Sequence, residues 1–245
     1  MAVRARHSAR GQHFLRSSAL AAELVRSAGI GPGDLVYDLG AGTGVLTRAL
    51  ARKGARFVAI ERDPALAADL GRRFDHVVED DILRIPLPRE PFCVVANLPF
   101  CDGTAILRRL LDPRGSLVSA NVIVEWGFAT KRTAVWPSTR LSVEWGAWFE
   151  VSLVRRLPRS CFVPPPSVDA AVLRARRREG PLVQVGEVRG YRRFLETGFR
   201  SGLRAVLSPR QIKRAAIELG FQPSASPRDL DAGQWAALYA VRRGR

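Results

Sequence analysis

The sequence predicts an α/β protein with a mostly parallel, doubly wound sheet, followed by a small all-helical domain. Strand-like and helix-like patterns alternate between residues 35 and 125, as they do in parallel sheets covered by helices on both faces. Two strand-like runs, 148–156 and 168–176, then follow each other across a short loop, which indicates a hairpin and an antiparallel strand at the end of the sheet. Only helical periodicity follows.

Local signals delimit the elements of the sheet domain. Helical spacing over 17–28 has Ser17 or Ser18 as its cap, and the Gly31-Pro-Gly33 turn ends it. Pro64 suits the first turn of a helix, where an N–H has no partner in any case. Short apolar runs predict strands at 35–39, 57–60, 76–78, 92–96 and 117–125, and helices are predicted at 45–53, 64–73 and 105–111.

The polar segment from Arg176 to Pro181 marks the expected domain boundary, because glycine, proline and charge interrupt regular structure there. The expected domains are therefore 1–178, with a basic N-terminal arm, and 179–245. Helices of the second domain are predicted at 186–200, 209–220 and 229–242.

The charge balance favours a polyanionic partner. The chain has 39 Lys and Arg against 23 Asp and Glu, a formal net charge of +16. Nearly all the cations are arginine, whose planar fork binds phosphate and stacks on bases, although an arginine-rich composition is also typical of GC-rich genomes. Each charge run could equally be an ordinary solvated face. The candidate RNA contacts are Arg4, Arg6 and Arg10 in the arm, Arg108, Arg109, Lys131 and Arg132, with further basic runs at 155–156 and 174–178.

Several classes of protein are not expected from this sequence. Cys93, Cys101 and Cys161 are scattered and form no C-x-x-C pair or Cys/His cluster, so neither a disulfide framework nor a metal site is predicted. No apolar run reaches membrane-spanning length, and the basic N-terminus lacks the apolar region of a secretory signal. We expect a cytoplasmic monomer that binds no membrane.

A glycine-rich loop follows the first strand of the sheet. In Asp38-Leu-Gly40-Ala-Gly42-Thr-Gly44 the glycines allow a tight turn and close approach of a ligand. Such a loop suits either NAD or S-adenosylmethionine (SAM). The fuller dinucleotide fingerprint needs glycine where Val45 stands, which weakens the prediction of a dehydrogenase.

Acidic residues follow the next two strands. Glu61 lies about 20 residues beyond the loop, where a carboxylate can bind ribose hydroxyls. Asp81 can accept a hydrogen bond from an adenine amino group, with Ile82 packed on the ring. Either acid alone could be a solvated strand end, but acids at successive strand ends favour a nucleotide site.

The segment Asn97-Leu98-Pro99-Phe100 follows the fourth strand, at the sheet edge where ligands of α/β proteins bind. An aromatic ring beside a side-chain amide suits a flat base with an exocyclic NH2 group. The ring can stack on the base, while the amide oxygen and a turn carbonyl accept the two N–H hydrogens. Alternatively, Asn97 is a turn-forming residue and Phe100 a core residue.

Taken in order, these motifs resemble those of the ribosomal RNA adenine-N6 methyltransferases. This superfamily includes the erythromycin-resistance (Erm) enzymes and the housekeeping small-subunit dimethyltransferases. Leu98 is common in the housekeeping branch, and Phe100 stands where many relatives have tyrosine. The matching motifs are 12–15, 38–44, Glu61, 80–83 and 97–100, and the stretches 124–129, 145–150 and 158–169 resemble the Erm branch.

The resemblance implies a Rossmann-like class I SAM-dependent methyltransferase domain and a helical C-terminal domain. It implies one or two methyl transfers from SAM, leaving S-adenosyl-L-homocysteine, to N6 of an adenine in 23S ribosomal RNA before assembly of the large subunit is complete. Resistance to macrolide, lincosamide and streptogramin B antibiotics would follow. The alternatives are a housekeeping 16S dimethyltransferase and a non-catalytic nucleic-acid-binding factor.

The resemblance also assigns residues. The implied cofactor residues are Gln12, Phe14, Gly40, Gly42, Gly44, Glu61, Asp81, Ile82 and Asn97. The implied residues around the target adenine are Asn97, Leu98, Phe100 and Phe162.

Overall fold

The computed structural model describes residues 12–244, and the predicted contacts Arg4, Arg6 and Arg10 lie outside that range. The strands are β1 Phe14–Leu15, β2 Leu35–Leu39, β3 Arg56–Glu61, β4 Val77–Glu79, β5 Phe92–Asn97, β6 Leu117–Glu125, β7 Phe149–Leu157, β8 Phe162–Val163 and β9 Ala170–Arg177. The helices are α1 Ser18–Ser27, α2 Val45–Lys53, α3 Pro64–Gly71, α4 Gly103–Leu110, α5 Trp126–Thr133, α6 Arg140–Gly146, α7 Val188–Ser201, α8 Pro209–Leu219 and α9 Ala232–Arg242.

Seven strands form the main sheet in the order β4-β3-β2-β5-β6-β9-β7. The first five run parallel to their neighbours, and β9 pairs antiparallel with β6. This is the predicted Rossmann-like arrangement, and the predicted strands of the sheet are all present. The carboxyl ends of β2, β3, β4 and β5 therefore meet at one edge, where the candidate motifs lie.

Some features of the fold were not predicted. The two short strands β1 and β8 pair antiparallel, with Leu15 opposite Phe162. Helices α5 and α6 lie in a region for which similar motifs were noted in the sequence but no secondary structure was predicted. The β1–β8 pair matters for function because it fixes the segment that carries Gln12 and Phe14.

The chain packs as two compact units. One contains residues 12–129 and 152–176, and the other contains 130–151 and 177–244. Residues 130–151, with helix α6, thus belong to the second unit. The domains expected from the sequence, 1–178 and 179–245, remain a prediction.

Each unit has its own apolar core. In the first, side chains of α1 and α2 pack on those of the central strands, among them Val36, Val95 and Ile123. In the second, aromatic rings pack edge to face, as Tyr191 does with Trp148 at 5.6 Å and with Tyr239 at 5.3 Å between centroids. Within residues 12–244 no helix has the length and apolar character needed to cross a membrane.

Candidate active site

A pocket lies at the carboxyl edge of the sheet, where ligands of open α/β sheets bind. It gathers residues that are far apart in the sequence but were predicted to act together. The sequence-predicted residues that line it are Gln12, Phe14, Gly40, Gly42, Glu61, Asp81, Ile82, Asn97, Leu98 and Phe100.

The glycine-rich loop forms one wall of this pocket. Gly40, Gly42 and Gly44 all have positive φ, at 74°, 57° and 76°, a conformation that other residues rarely adopt. A Cβ on Gly42 would lie 2.7 Å from the Phe14 ring, so this glycine also allows the β1 segment to approach.

Gly44 has a different environment from the other two glycines. It does not line the pocket, and a Cβ there would lie 2.5 Å from the Leu70 side chain of α3. Its absence of a side chain therefore permits the start of α2 to pack against α3.

Glu61 is buried, and both of its carboxylate oxygens are held by the backbone. Oε2 accepts from the Gly42 N–H at 2.8 Å, and Oε1 accepts from the Asp63 N–H at 2.9 Å. These bonds fix the carboxylate against the glycine loop. Each oxygen retains a second lone pair, so the group can still accept hydrogen bonds from two vicinal hydroxyls.

The side chains of Asp80 and Asp81 hold the segment after β4 in a turn. Asp81 Oδ1 accepts from the Leu83 N–H at 2.8 Å, and Asp80 Oδ1 accepts from the Asp81 N–H at 2.7 Å. Asp81 and Ile82 thereby face the pocket together, one as a hydrogen-bond acceptor and the other as an apolar surface.

Arg109 from helix α4 holds this same segment. Its Nη1 donates to the Ile82 carbonyl at 2.6 Å, and its Nη2 donates to the Ile85 carbonyl. The prediction from sequence grouped Arg109 with Arg108 as an RNA contact. Only Arg108 is exposed, because adjacent residues of a helix point about 100° apart and Arg109 points back at the loop.

Asn97 ends β5 with its amide fixed in one orientation. Nδ2 donates to the His13 carbonyl at 2.6 Å, which turns Oδ1 away from that contact. Oδ1 is buried and has no hydrogen-bond partner among residues 12–244. Leu98 follows with its N–H bonded to the Ile123 carbonyl at 3.1 Å.

Two aromatic rings lie close to Phe100. The His13 ring lies 5.6 Å away at 45°, and the Phe162 ring lies 6.4 Å away, nearly perpendicular. Phe162 is only 1% exposed and does not line the pocket, so its contact is with Phe100. His13 Nδ1 lies 2.9 Å from the Pro164 carbonyl, which links the β1 segment to the residues after β8.

Asp38 is a polar residue of the glycine-rich motif for which no role was predicted. Its carboxyl is 1% exposed, and Oδ2 accepts from the Thr47 hydroxyl at 2.6 Å. Burial raises the pKa of Asp38 to about 7, against the opposing effect of the Thr47 hydrogen bond. Its position at the start of the loop was the available signal, but the burial was not visible in the sequence.

Three acceptor oxygens around the site lack partners within residues 12–244. They are Gln12 Oε1, Asp38 Oδ1 and Asn97 Oδ1. Asp38 and Asn97 line one small recess, and Gln12 and Asn97 line the main pocket. Because buried acceptors are nearly always satisfied, this set fits a ligand that brings N–H donors.

Several of the predicted RNA contacts have partners of their own. Arg132 donates to the Thr139 hydroxyl at 3.1 Å and lies over the Trp145 ring at 6.0 Å, whereas Lys131 is exposed.

In the described part of the chain, no group of three His, Cys, Asp or Glu is placed to hold a metal ion.

Comparisons with known sequences and structures identify relatives of this chain. A model of the family "ribosomal RNA adenine dimethylase" matches residues 3–221. The mycinamicin-resistance protein MyrB of Micromonospora griseorubida is 37% identical, with 99% of this chain and 80% of MyrB aligned. The small-subunit ribosomal RNA methyltransferase A of Thermosynechococcus vestitus is 32% identical, with 95% of each aligned. The crystal structure of the 23S rRNA methyltransferase ErmE superposes with a TM-score of 0.84 at 30% identity, over 95% of this chain and all of ErmE.

The raised pKa of Asp38 predicts a pH-dependent stability difference. Between pH 4 and 7 the carboxyl is protonated when folded but ionised when unfolded, so stability falls as pH rises through that window. Asp38→Asn removes this dependence. We expect the free energy of unfolding of Asp38→Asn, minus that of the wild type, to increase by on the order of 2–4 kcal/mol as the pH rises from 4.5 to 8.

Urea unfolding of both proteins at several pH values measures this difference. Any change in stability that the introduced amide causes equally at every pH cancels, because only the change of the stability difference with pH is compared. Parallel stability curves across the whole range would mean that Asp38 stays ionised in the folded protein.

Proposed function

This chain belongs to the ribosomal RNA adenine dimethylase family, and from that premise we propose that it methylates N6 of one adenine in 23S ribosomal RNA at the macrolide site. It is a SAM-dependent ribosomal RNA adenine-N6 methyltransferase. The 23S target is supported by the similarity to MyrB and ErmE. We further propose that the protein acts in the cytoplasm, as a monomer, on RNA whose assembly into the large subunit is not complete. The resulting antibiotic resistance belongs to the same proposal.

The pocket residues fit SAM in their chemistry. Glu61 is placed to accept from ribose hydroxyls, and Asp81 with Ile82 to hold the adenine ring. Gly40 and Gly42 keep the loop close to the ligand. We place Gln12 and Phe14, which the resemblance implies as cofactor residues, at the methionine end of SAM, and we add Asp38 to them. Gln12 and Asp38 bring unpartnered acceptors that suit an ammonium group.

The single observation that carries the proposed adenine-N6 chemistry is the unpartnered Oδ1 of Asn97, whereas the choice of 23S RNA rests on the similarity to MyrB and ErmE. Because the His13 carbonyl holds the amide nitrogen, Oδ1 is already oriented to accept one hydrogen of the adenine amine. The Leu98 carbonyl is assigned the other hydrogen. Phe100 is assigned to stack on the base, and Phe162 supports Phe100 from its buried side.

The mechanism is one of positioning. When bound, SAM supplies an electrophilic methyl group. The N6 lone pair of adenine is delocalised into the ring, so the amine is a weak nucleophile. Accepting both N–H hydrogens, at Asn97 and Leu98, favours a tetrahedral nitrogen whose lone pair is free for in-line attack. The methylated nitrogen is acidic enough to lose a proton to water, so no general base is required.

A 16S target is the second candidate function. Leu98 is common in the housekeeping branch, and the T. vestitus small-subunit enzyme aligns with 95% of this chain. The two candidates share the chemistry at Asn97 and differ only in the RNA.

The target prediction is tested by radiolabelled methyl transfer from SAM to protein-free 23S and 16S ribosomal RNA. We expect label in 23S RNA, at one adenine, identified by mapping the modified base. Label in 16S RNA alone would overturn the 23S target and leave the chemistry intact.

Asn97→Ala is expected to lower kcat about 10²–10³-fold, because the variant has no preorganised acceptor for the reacting amine. SAM should still bind in calorimetry, because Glu61, Asp81 and Ile82 remain, although the variant also loses the hydrogen bond to the His13 carbonyl. The melting temperature serves as the control for folding. Turnover like that of the wild type would remove Asn97 from the mechanism.

Arg108 and Arg109 form a matched pair for separating cofactor binding from RNA binding. Arg109→Gln should weaken SAM binding about 3- to 30-fold, because the Asp81–Ile82 segment loses one or two charge-assisted hydrogen bonds. Arg109→Lys should recover only part of this, since lysine lacks the planar fork. Arg108→Gln should instead weaken RNA binding and leave SAM affinity unchanged.

Calorimetry with SAM and filter binding with ribosomal RNA measure the two affinities. If Arg109→Gln weakened RNA binding alone, as expected for Arg108→Gln, the positioning role of Arg109 would be wrong.

A further inference from the structure

Trp136 lies outside the pocket and has no role in the mechanism above, yet it is unusually exposed. Its side chain is 63% exposed, and the neighbouring Val135 is 50% exposed. No other tryptophan, tyrosine or phenylalanine within residues 12–244 is exposed to a comparable degree. An exposed tryptophan is an available stacking surface for a flat ring.

The Trp136 ring is held in place. Its Nε1 donates to the Asp229 carbonyl at 2.9 Å, and the Ser138 N–H donates to the Arg228 carbonyl at 2.8 Å. These two bonds fix the 134–138 loop to residues 228–229. The ring therefore presents an apolar face without the entropy loss that a free side chain would incur on binding.

A cationic groove begins at the same residues. It is an open groove lined by Thr139, Arg140, Glu196, Phe199, Arg200 and Arg228. Arg140 is paired with Glu144 at 2.9 Å. Arg200 and Arg228 are exposed and make no ion pair with any residue from 12 to 244.

We propose that Trp136 and this groove form a second RNA-binding surface, on which one unpaired base stacks on the Trp136 indole while flanking phosphates contact Arg200 and Arg228. Aromatic stacking combined with nearby arginines is the usual means of holding unpaired nucleotides. The net charge of +16 disfavours a cationic partner and a second copy of this chain. The inference rests on the ribosomal RNA substrate of the proposed function but not on which subunit's RNA is used.

The test compares variants of the full chain, using whichever ribosomal RNA the wild type labels. Trp136→Ala should weaken RNA binding about ten-fold, as expected when one base can no longer stack, and raise the KM for RNA, while SAM affinity stays the same. Trp136→Phe should retain most of the affinity, because a ring remains. Ile217→Ala is the matched control, since Ile217 is 78% exposed on α8 and has no part in the surface.

Salt dependence separates stacking from phosphate binding. Replacing Arg200 and Arg228 together by glutamine should make the negative slope of log affinity against log salt shallower. The change should be about 0.7 for each phosphate that an arginine no longer neutralises. Trp136→Ala should leave that slope unchanged. In the wild type, RNA should also protect the iodide-quenchable tryptophan emission, and Trp136→Phe should lack that signal.

Unchanged RNA affinity and KM in Trp136→Ala would overturn the proposal. A loss of self-association in sedimentation, with RNA binding intact, would overturn it in favour of an interface between copies. Because methyl transfer is followed in the same preparations, absence of 23S labelling would be recognised separately as failure of the proposed target.

Discussion

The hydrogen bond from Asn97 Nδ2 to the His13 carbonyl is the contact on which the rest of the site depends. It joins the end of a central strand to a segment 84 residues earlier in the chain. It also decides which end of the amide is free. An amide in the opposite orientation would present N–H groups to the pocket and would repel an amine donor. The orientation of the Asn97 acceptor is thus determined by a single backbone carbonyl.

That carbonyl is in turn positioned by contacts that have no catalytic chemistry. The β1–β8 pair and the His13–Pro164 contact hold the segment against the residues before β9. The absence of a side chain at Gly42 lets Phe14 pack on the loop. The same Gly42 donates its N–H to Glu61, so one glycine links the Phe14 segment to the buried carboxylate of Glu61. Preorganisation here is a property of main-chain geometry more than of the reactive side chains.

Features that depend on local pattern were predictable from the sequence, and features that depend on distant pairing were not. Strands of the sheet were predictable because alternation and turn residues are local signals. The β1–β8 pair was not, because two-residue strands far apart in the chain have no periodicity. Arg108 and Arg109 are indistinguishable as letters, and only the helix orientation shows that one faces the Ile82 loop. Phe162 was predicted as an aromatic residue near the base, but its burial against Phe100 depends on tertiary packing.

The unpartnered acceptors give a physical reason why the site favours ligands of one kind. A buried polar atom without a partner costs about 1–3 kcal/mol, and such atoms occur on Gln12, Asp38 and Asn97. Packing apolar groups in their place would have stabilised the fold. Their retention means that a ligand bringing N–H donors to these oxygens recovers the free energy that their burial costs. An ammonium group and an exocyclic amine are such donors, whereas a ligand with acceptors alone would leave the penalty in place. Selectivity for a donor-bearing cofactor and an amino-bearing base therefore follows from the same unsatisfied oxygens.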